Sequence, residues 1–323
     1  MIGAEAGRTT AENYRRFAER EARGKSPLYE ELAAGIADDD EILALIDTLP
    51  PGKRQPNLVL AAARFLYGTP TGYPGLRATL IERWAQVRSV ALARSTQTNE
   101  VGRCAALLPV LAELRRPLAL IEIGASAGLC LLLDRYHYDY GTGARLGPAD
   151  SRVRLDCELR GPGTPPAHLP AIVWRVGLDL DPVDVTDPDA VRWLEALVWP
   201  GQTTRLRRLR SALELATVDP PPVVRGDLRT DLPRLVAGAP ADATVVVFHS
   251  AVLAYLPAAD RARFAEQVAG PDVTWIGYEA PGVVAVADPP PAPPRDTGSA
   301  FLITHDGRPV AWADPHGAWL RRT

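Results

Sequence analysis

The sequence predicts an α/β fold with a mainly parallel sheet, preceded by an all-helical domain. Three observations lead to this class. Residues 1–115 show only the helical spacing of apolar residues, without the alternation of a half-buried strand. From residue 116 onward, short apolar runs alternate with amphipathic stretches, as they do in βαβ units. Near the end, Asp306-Gly307 separates two apolar stretches and predicts an antiparallel hairpin. We therefore expect a helical domain at 1–115 and an α/β domain at 116–323.

Capping residues delimit the N-terminal helices. Ser26 before Pro27 is typical of a helix start, because serine caps the first turn and proline needs no N–H donor there. Thr98 or Asn99 is expected to cap a last helix before the α/β domain. Apolar residues at helical spacing mark the helices between these two points.

The elements of the α/β domain follow from its apolar runs. The predicted core strands are Leu118–Ile123, Ile172–Leu178, Pro222–Arg225, Thr244–Phe248 and Val273–Tyr278. The predicted helices are Gly128–Tyr136, Val191–Val198, Thr204–Ala216 and Pro257–Val268. An insertion carries an extra strand at Val153–Leu159, and 281–299 is a proline-rich loop.

Composition excludes several classes of protein. The chain has 323 residues, of which 46% are hydrophobic and 23% charged, as in ordinary globular proteins. A net charge of −3 supplies no general attraction for nucleic acid, so a nucleic-acid partner is not expected. Three separated cysteines without a CxxC pair predict free thiols in a reducing compartment and no cysteine-based zinc site. Without a signal core or a run of roughly 20 apolar residues, we expect a cytoplasmic protein with no membrane partner.

The most informative segment is Leu118–Gly128, an apolar strand that runs into five small residues. A turn from strand to helix needs glycine where φ is positive or where a ligand approaches the backbone. The following helix start offers free N–H groups and a positive dipole end. Glu122, at the strand tip, suits an amine or a ribose hydroxyl. A tight turn with a purely structural role remains the alternative.

This segment resembles the first motif of class I S-adenosylmethionine-dependent methyltransferases, through Glu122, Gly124, Ser126 and Gly128. The resemblance implies a Rossmann-type, mostly parallel seven-stranded sheet ending in an antiparallel hairpin. It also implies S-adenosylmethionine as cofactor, bound by those four residues.

Further cofactor-binding residues are implied by the same resemblance. Asp179 or Asp181, after the second core strand, would hold the ribose hydroxyls. Asp227 and Leu228, after the third, would contact the adenine. A loop-capping role for the first two, and a helix-capping role for Asp227, stay open.

Three residues near the ends of the later strands are the candidate catalytic group. His249 lies at the fourth strand tip and is the expected general base, with a backbone-bound histidine as the alternative. Tyr255 or Glu279 would orient a small-molecule substrate. The expected reaction is methyl transfer to its oxygen or nitrogen, with the helical domain and the 281–299 loop covering the pocket.

Two other function classes remain open. Gly124–Gly128 also reads Gly-x-Ser-x-Gly, so Ser126 is the nucleophile of a possible serine hydrolase, with Asp179 or Asp227 as the acid and a later histidine as the base. A non-catalytic nucleotide-binding module is the third class. Glu100 and Arg103, shortly before the first strand, either overhang the glycine-rich turn or form a plain helix ion pair. No metal site is expected, and the sequence does not define the oligomeric state.

Beyond the motif, the whole chain resembles a family of uncharacterised bacterial proteins defined only as a domain of unknown function. Its recurring stretches are similar to Thr98–Arg103, Val224–Asp227, Phe248–Leu253 and Ala313–Gly317. This resemblance implies a shared fold and no known reaction.

Overall fold

The chain folds into two compact units in the computed structural model. The structure describes residues 8–114, 117–143, 145–161, 163–286, 288, 292–293 and 299–323. An α/β unit contains Asn99–Val185 and Arg208–Thr323, and a helical unit contains the described residues up to Thr98 together with Thr186–Arg207. This division differs from the single boundary expected after residue 115, which itself falls outside the described residues. Much of the expected 281–299 loop, including Pro289–Pro291, also lies outside them.

The helical unit consists of helices only, within the residues that the structure describes. Its elements are α1 (Thr10–Arg16), a π-helix (Phe17–Ala22), α2 (Pro27–Ala37), α3 (Asp40–Ile46), a 3-10 turn (Pro51–Lys53), α4 (Pro56–Tyr67), α5 (Tyr73–Ala93) and α7 (Pro188–Leu197). The predicted start of α2 is present, with the Tyr29 N–H donating to the Ser26 hydroxyl. Tyr14, Tyr29, Leu32, Ile36 and Ile42 are among the buried residues of its core.

A nine-stranded sheet organises the α/β unit. Five parallel strands run in the order β7 (Val223–Arg225), β6 (Ile172–Asp179), β1 (Leu118–Ile123), β8 (Thr244–Ser250) and β9 (Val273–Glu279). They are followed by the antiparallel strands β10 (Phe301–His305), β11 (Arg308–Ala313) and β12 (Trp319–Arg322), and by β5 (Glu158–Leu159) at the edge. The predicted core strands and the hairpin are confirmed, but the sheet has nine strands rather than the expected seven. The sequence analysis missed β12 because four residues are too short to display an alternating pattern.

The insertion after β1 forms a small sheet of its own. It consists of β2 (His137–Asp139), β3 (Arg145–Leu146) and β4 (Arg154–Asp156). The single strand expected at Val153–Leu159 is therefore two strands, β4 and β5, that belong to different sheets.

Helices α9 (Leu228–Ala237) and α10 (Ala258–Val268) pack against the large sheet. The α/β unit also contains α6 (Arg103–Leu111) and the part of α8 (Thr203–Val218) from Arg208 onward. All six residues of β1 are buried, which explains its continuous apolar run. The helix predicted at Gly128–Tyr136 is a 3-10 helix at Leu129–Arg135, where the Tyr136 hydroxyl donates to the Leu129 carbonyl. None of the described helices is long and apolar enough to cross a membrane.

Candidate functional site

The site lies where the crossovers of the parallel sheet diverge. From β1 the chain continues to β6 and β7 on one side, and then crosses to β8 and β9 on the other. Ile123, the last residue of β1, pairs with Leu178 of β6 and with His249 of β8, so these three strands end side by side. Open α/β sheets bind ligands in the crevice at this point, outside the carboxyl ends of the strands.

Buried charge is concentrated at the same edge. Among the described residues, the buried Asp, Glu, Lys and Arg side chains are Glu100, Arg103, Glu122 and Glu279. Glu122 and Glu279 lie at or next to the ends of β1 and β9. Arg103 donates to the carbonyl of Ser250, the last residue of β8. Because such side chains are rarely buried without a specific reason, their convergence marks this edge as the candidate functional site.

The glycine-rich turn after β1 has the backbone that its sequence predicts. Gly124 and Gly128 have φ of 67° and 66°, and Ser126 shares this left-handed conformation with φ of 52°. A Cβ at Gly124 would lie 2.5 Å from Val252 Cγ2, so this position requires glycine for space as well as for conformation. A serine in this region is strained, and such strain persists only where neighbouring contacts hold it.

Side chains of the protein hold this turn closed. The Ser126 N–H donates to Asp179 Oδ2 at 2.7 Å, and the Ala127 N–H donates to Asn99 Oδ1 at 3.1 Å. The Asn99 amide in turn donates to Ser126 Oγ at 2.9 Å. Asn99, expected only as a possible helix cap, therefore belongs to the site. Helix α6 begins four residues later, with Gly102 at its N-cap.

The remaining acidic candidates lie at neighbouring strand tips, with different partners. Asp179 also accepts the Asp181 N–H at 2.8 Å, whereas Asp181 itself is exposed and pairs with Arg225 at 3.0 Å. Asp227 caps α9, and hydrogen bonds from Arg229 lower the pKa of its carboxyl. Asp179, rather than Asp181, is thus the residue that contacts the glycine-rich turn. Asp227 has the helix-capping role that the sequence left open.

Leu228 has an outcome of its own. Its side chain is 9% exposed and is part of the apolar core under the sheet, together with Leu232 and Val247. The expected contact between Leu228 and adenine stays a prediction. It would involve the small exposed part of this side chain, at the rim of the core.

Glu122 is a buried acid with an unsatisfied oxygen. Its side chain is 5% exposed, and Oε2 is buried without a hydrogen-bond partner. Burial raises its pKa well above the ordinary value, and Cys130 and Asp179 nearby add to the shift, which Arg103 partly opposes. A cationic group or a hydrogen-bonding partner at the strand tip would supply the missing contact of Glu122.

His249 is fully buried and both ring nitrogens are occupied. The Trp275 indole donates to Nε2 at 2.9 Å, and Nδ1 lies 2.8 Å from Glu279 Oε1. An indole nitrogen only donates, so Nε2 accepts the hydrogen bond from Trp275. Nδ1 therefore carries the ring proton and donates a hydrogen bond to Glu279. No ring nitrogen is open to a substrate, so this geometry does not support the general-base role expected for His249.

Glu279 fixes the segment that follows β8. Its Oε1 also accepts the N–H groups of Val252 and Leu253, at 2.8 and 2.9 Å. Burial acts to raise the pKa of Glu279, but the hydrogen bonds from His249 and these two backbone groups outweigh it and leave the pKa below its ordinary value. Tyr255, in the 3-10 turn Leu253–Tyr255, is 48% exposed at the end of this segment. Substrate orientation by Tyr255 or Glu279 stays a prediction.

Arg103 connects three parts of this edge. Its Nη1 donates to the Ser250 carbonyl and its Nε to the Pro315 carbonyl, both at 2.9 Å. Glu100, which precedes α6, has partners from two other segments of the chain. Its Oε1 lies 2.7 Å from Arg208, and its Oε2 lies 3.2 Å from Nδ1 of His316. Sequence reasoning missed these roles because their partners lie more than 100 residues away along the chain.

Comparison with known proteins identifies the family. Residues 11–322 match the family model DUF2332, described as an uncharacterized protein conserved in bacteria. The chain belongs to this family. No curated protein and no solved structure matches it.

The chemistry available to this DUF2332 protein follows from the geometry. The edge offers the buried acid Glu122, the hydrogen-bonded guanidinium of Arg103, and His316 beside the buried carboxylate of Glu100. No cluster of three or more metal-ligating side chains occurs within the described part of the chain. These groups suit the recognition of a polar organic ligand and the transfer of a proton.

Proposed function

We propose that the α/β unit binds S-adenosylmethionine and transfers its methyl group to an oxygen or nitrogen of a small molecule. One observation carries the proposal. Three neighbouring parallel strands, β1, β6 and β7, each end in a carboxylate at or next to the tip: Glu122, Asp179 and Asp227. Class I methyltransferases, which the glycine-rich motif resembles, place acidic residues in this order along the chain.

Glu122 shows whether the residues at the tip of β1 suit S-adenosylmethionine. A buried carboxyl oxygen without a partner is a costly feature unless a ligand completes it. The ammonium group of an amino-acid moiety, or the positive sulfur of the cofactor, would supply the missing charge. Such a cation would also favour ionisation of the acid, whose pKa is raised by burial. The residues at the tip of β1 therefore fit this cofactor.

Asp179 and Asp227 would contact the nucleoside through their remaining lone pairs. Each Asp179 oxygen already accepts one backbone N–H, and a carboxylate oxygen has room for a second donor. The N–H groups of Ser126 and Ala127 are taken by protein side chains. We therefore expect recognition through the carboxylates rather than through the N–H groups of the turn.

Catalysis on this scaffold would consist mainly of positioning. The cofactor supplies an activated methyl group on a positively charged sulfur, and its transfer needs an acceptor atom held in line. The hydrogen bonds of Glu279 to His249, Val252 and Leu253 fix the loop that bears Tyr255. That loop adjoins Gly124 through Val252, so Tyr255 remains the proposed substrate-orienting residue.

The serine hydrolase alternative has less support. An activated serine needs a base within hydrogen-bond reach of its hydroxyl. The hydrogen bond to Ser126 Oγ comes from the Asn99 amide, which cannot accept the proton. A non-catalytic binding module differs from the proposed enzyme only in its lack of turnover.

Isothermal calorimetry with S-adenosylmethionine and S-adenosylhomocysteine tests the proposal. We expect saturable binding to the wild type and binding at least tenfold weaker for Glu122→Gln, with Glu113→Gln as an exposed control in the same unit. An absence of binding to the wild type would overturn the proposal. Formation of S-adenosylhomocysteine with a panel of hydroxyl, amine and carboxylate acceptors then separates an enzyme from a binding module.

A further inference from the structure

We propose that His316, positioned by Glu100, is the general base of this site. The assignment rests on the proposed methyl transfer and gives His316 the role that the sequence suggested for His249, whose two ring nitrogens are engaged by Trp275 and Glu279. The observation behind it is a histidine whose ring meets a buried carboxylate on one edge and solvent on the other.

The histidine and the carboxylate are arranged as a dyad. Nδ1 of His316 is buried and lies 3.2 Å from Glu100 Oε2, while 39% of the His316 side chain is exposed. Because Nδ1 is buried, the exposed part of the ring lies away from the contact with Glu100. The Glu100 side chain is only 1% exposed. Its Oε1 is engaged by Arg208 at 2.7 Å and by the Gly102 N–H at 3.1 Å, which leaves Oε2 directed at the imidazole.

The backbone around His316 is fixed as firmly as its side-chain partner. Asp314 Oδ1 accepts the His316 N–H at 2.8 Å, and the Tyr278 hydroxyl donates to the Asp314 carbonyl. A Cβ on Gly102 would lie 2.3 Å from the His316 carbonyl oxygen, so the two segments are in close backbone contact. A general base must be held in this manner to reach its substrate in one geometry.

Arg103 and Asn99 place the dyad at the methyl-transfer site. Arg103 donates to the Pro315 carbonyl, one residue before His316, and to the carbonyl of Ser250 at the tip of β8. Asn99, one residue before Glu100, hydrogen-bonds the glycine-rich turn at the tip of β1. The dyad is thus tied to the two strand tips that flank the crevice.

The proton transfer is balanced with the methyl transfer. As an acceptor oxygen or nitrogen forms its bond to the methyl carbon, the carbon–sulfur bond breaks and the positive sulfur becomes a neutral thioether. The acceptor loses its proton to Nε2 of His316, and the imidazolium that forms is stabilised by the Glu100 carboxylate. The imidazolium then releases this proton to water. Three further charged groups contact this pair or its backbone. Arg208 pairs with Glu100, Arg103 donates to the Pro315 carbonyl, and Asp314 accepts the His316 N–H.

His305 provides a matched control within the chain. It is also partly exposed, at 32% of its side chain, and its Nε2 lies 3.5 Å from Asp306 Oδ2. It pairs with Ile276 in the middle of β9, three residues before Glu279 at the strand tip. A property of His316 that depends on the site should be absent from His305.

Carbethoxylation by diethyl pyrocarbonate, followed at each histidine by mass spectrometry, tests the dyad without a known acceptor. At alkaline pH, where the imidazole is neutral in both proteins, the rate reports the nucleophilicity of the ring. We expect Glu100→Gln to slow modification of His316 at least fivefold under these conditions and to leave His305 unchanged. Saturating S-adenosylhomocysteine should protect His316 at least fivefold in the wild type and leave His305 exposed to the reagent. If Glu100→Gln does not fold, Arg208→Gln removes the group that holds the carboxylate and should give the same selective slowing.

The outcomes separate the two proposals. A His316 rate unaffected by Glu100→Gln and Arg208→Gln would overturn the dyad. If the substitutions slow modification of His316 but calorimetry detects no binding of S-adenosylmethionine or S-adenosylhomocysteine, the methyl-transfer proposal is overturned and the dyad is supported. With an acceptor from the panel, His316→Gly should lose turnover about 100-fold or more, and added imidazole should restore part of it. Cofactor affinity should stay within twofold in that variant, because His316 would act on the acceptor.

Discussion

Asn99 and Ser126 form a reciprocal bridge between two distant segments of the chain. The Asn99 amide nitrogen donates to the Ser126 hydroxyl at 2.9 Å, and its carbonyl oxygen accepts the next N–H of the same turn, that of Ala127, at 3.1 Å. One side chain thus satisfies both the hydroxyl and a backbone donor of a turn whose central residue is strained. The bridge explains how a serine with φ of 52° is maintained at this position.

Removal of the bridge should destabilise the α/β unit. Asn99→Ala loses two hydrogen bonds and leaves a buried N–H unsatisfied, so we expect a loss of about 1–3 kcal/mol in the free energy of unfolding. Ser126→Ala should lose less, since the Ala127 N–H keeps its acceptor. Urea unfolding of the two single variants and the double variant measures the coupling between them, expected to be at least about 0.5 kcal/mol. Strictly additive effects would mean that the bridge does not contribute to stability.

Local pattern accounts for the strands and for the backbone of the turn, because both depend on neighbouring residues. The apolar run of Leu118–Ile123 predicts a buried strand, and five small residues after it predict a tight turn. The pair of Glu100 and His316 and the contacts of Arg103 could not be predicted in this way. Arg103 and the Pro315 carbonyl are 212 residues apart, and no periodicity links them. The partners of His249 could not be predicted for the same reason: its position at a strand tip is local, whereas its contacts with Trp275 and Glu279 are not.

The indole of Trp275 should fix the tautomer of His249. Trp275→Phe removes the donor to Nε2 and leaves that buried nitrogen unsatisfied, which should lower the free energy of unfolding by about 1–3 kcal/mol. Nitrogen-15 NMR of the wild type at neutral pH should show the proton of His249 on Nδ1. Trp319→Phe is the control, since Trp319 is similarly buried but its indole donates to no described group. Equal losses in the two variants would argue that packing alone accounts for the effect.

Glu122 should make stability depend on pH with a defined sign. Burial raises its pKa above that of the unfolded chain, so the native state keeps a proton that the unfolded state releases. Its contribution to stability is complete below the unfolded pKa of about 4.3 and is lost as the pH rises towards the folded pKa. Over that window wild type should lose about 1.4 kcal/mol per pH unit relative to Glu122→Gln, which has no titrating proton.

The measurement is urea unfolding of both proteins at several pH values from about 5 to about 7. Wild type and variant should converge at the acidic end, and the variant should gain relative stability towards neutrality. Bound S-adenosylmethionine should reduce this difference, because a cation beside the acid favours its ionised form. Parallel pH profiles for the two proteins would show that Glu122 is ionised in the native state.

The contact between Gly124 and Val252 should be measurable as a repulsion that a second substitution removes. Gly124→Ala combines a left-handed backbone, at φ of 67°, with a Cβ placed 2.5 Å from Val252 Cγ2. We expect a loss of about 1–2 kcal/mol from conformation and about 1–3 kcal/mol from overpacking. Gly282→Ala separates the two effects, since Gly282 has φ of 81° and nothing within 4 Å of the added carbon. Val252 packs against the core, so the double variant with Val252→Ala is compared with the Val252→Ala single variant. On that basis the loss caused by Gly124→Ala should fall close to that of Gly282→Ala, because mainly the conformational part remains. A loss as large as in the wild-type background would show that the turn, and not its contact with the loop after β8, requires glycine.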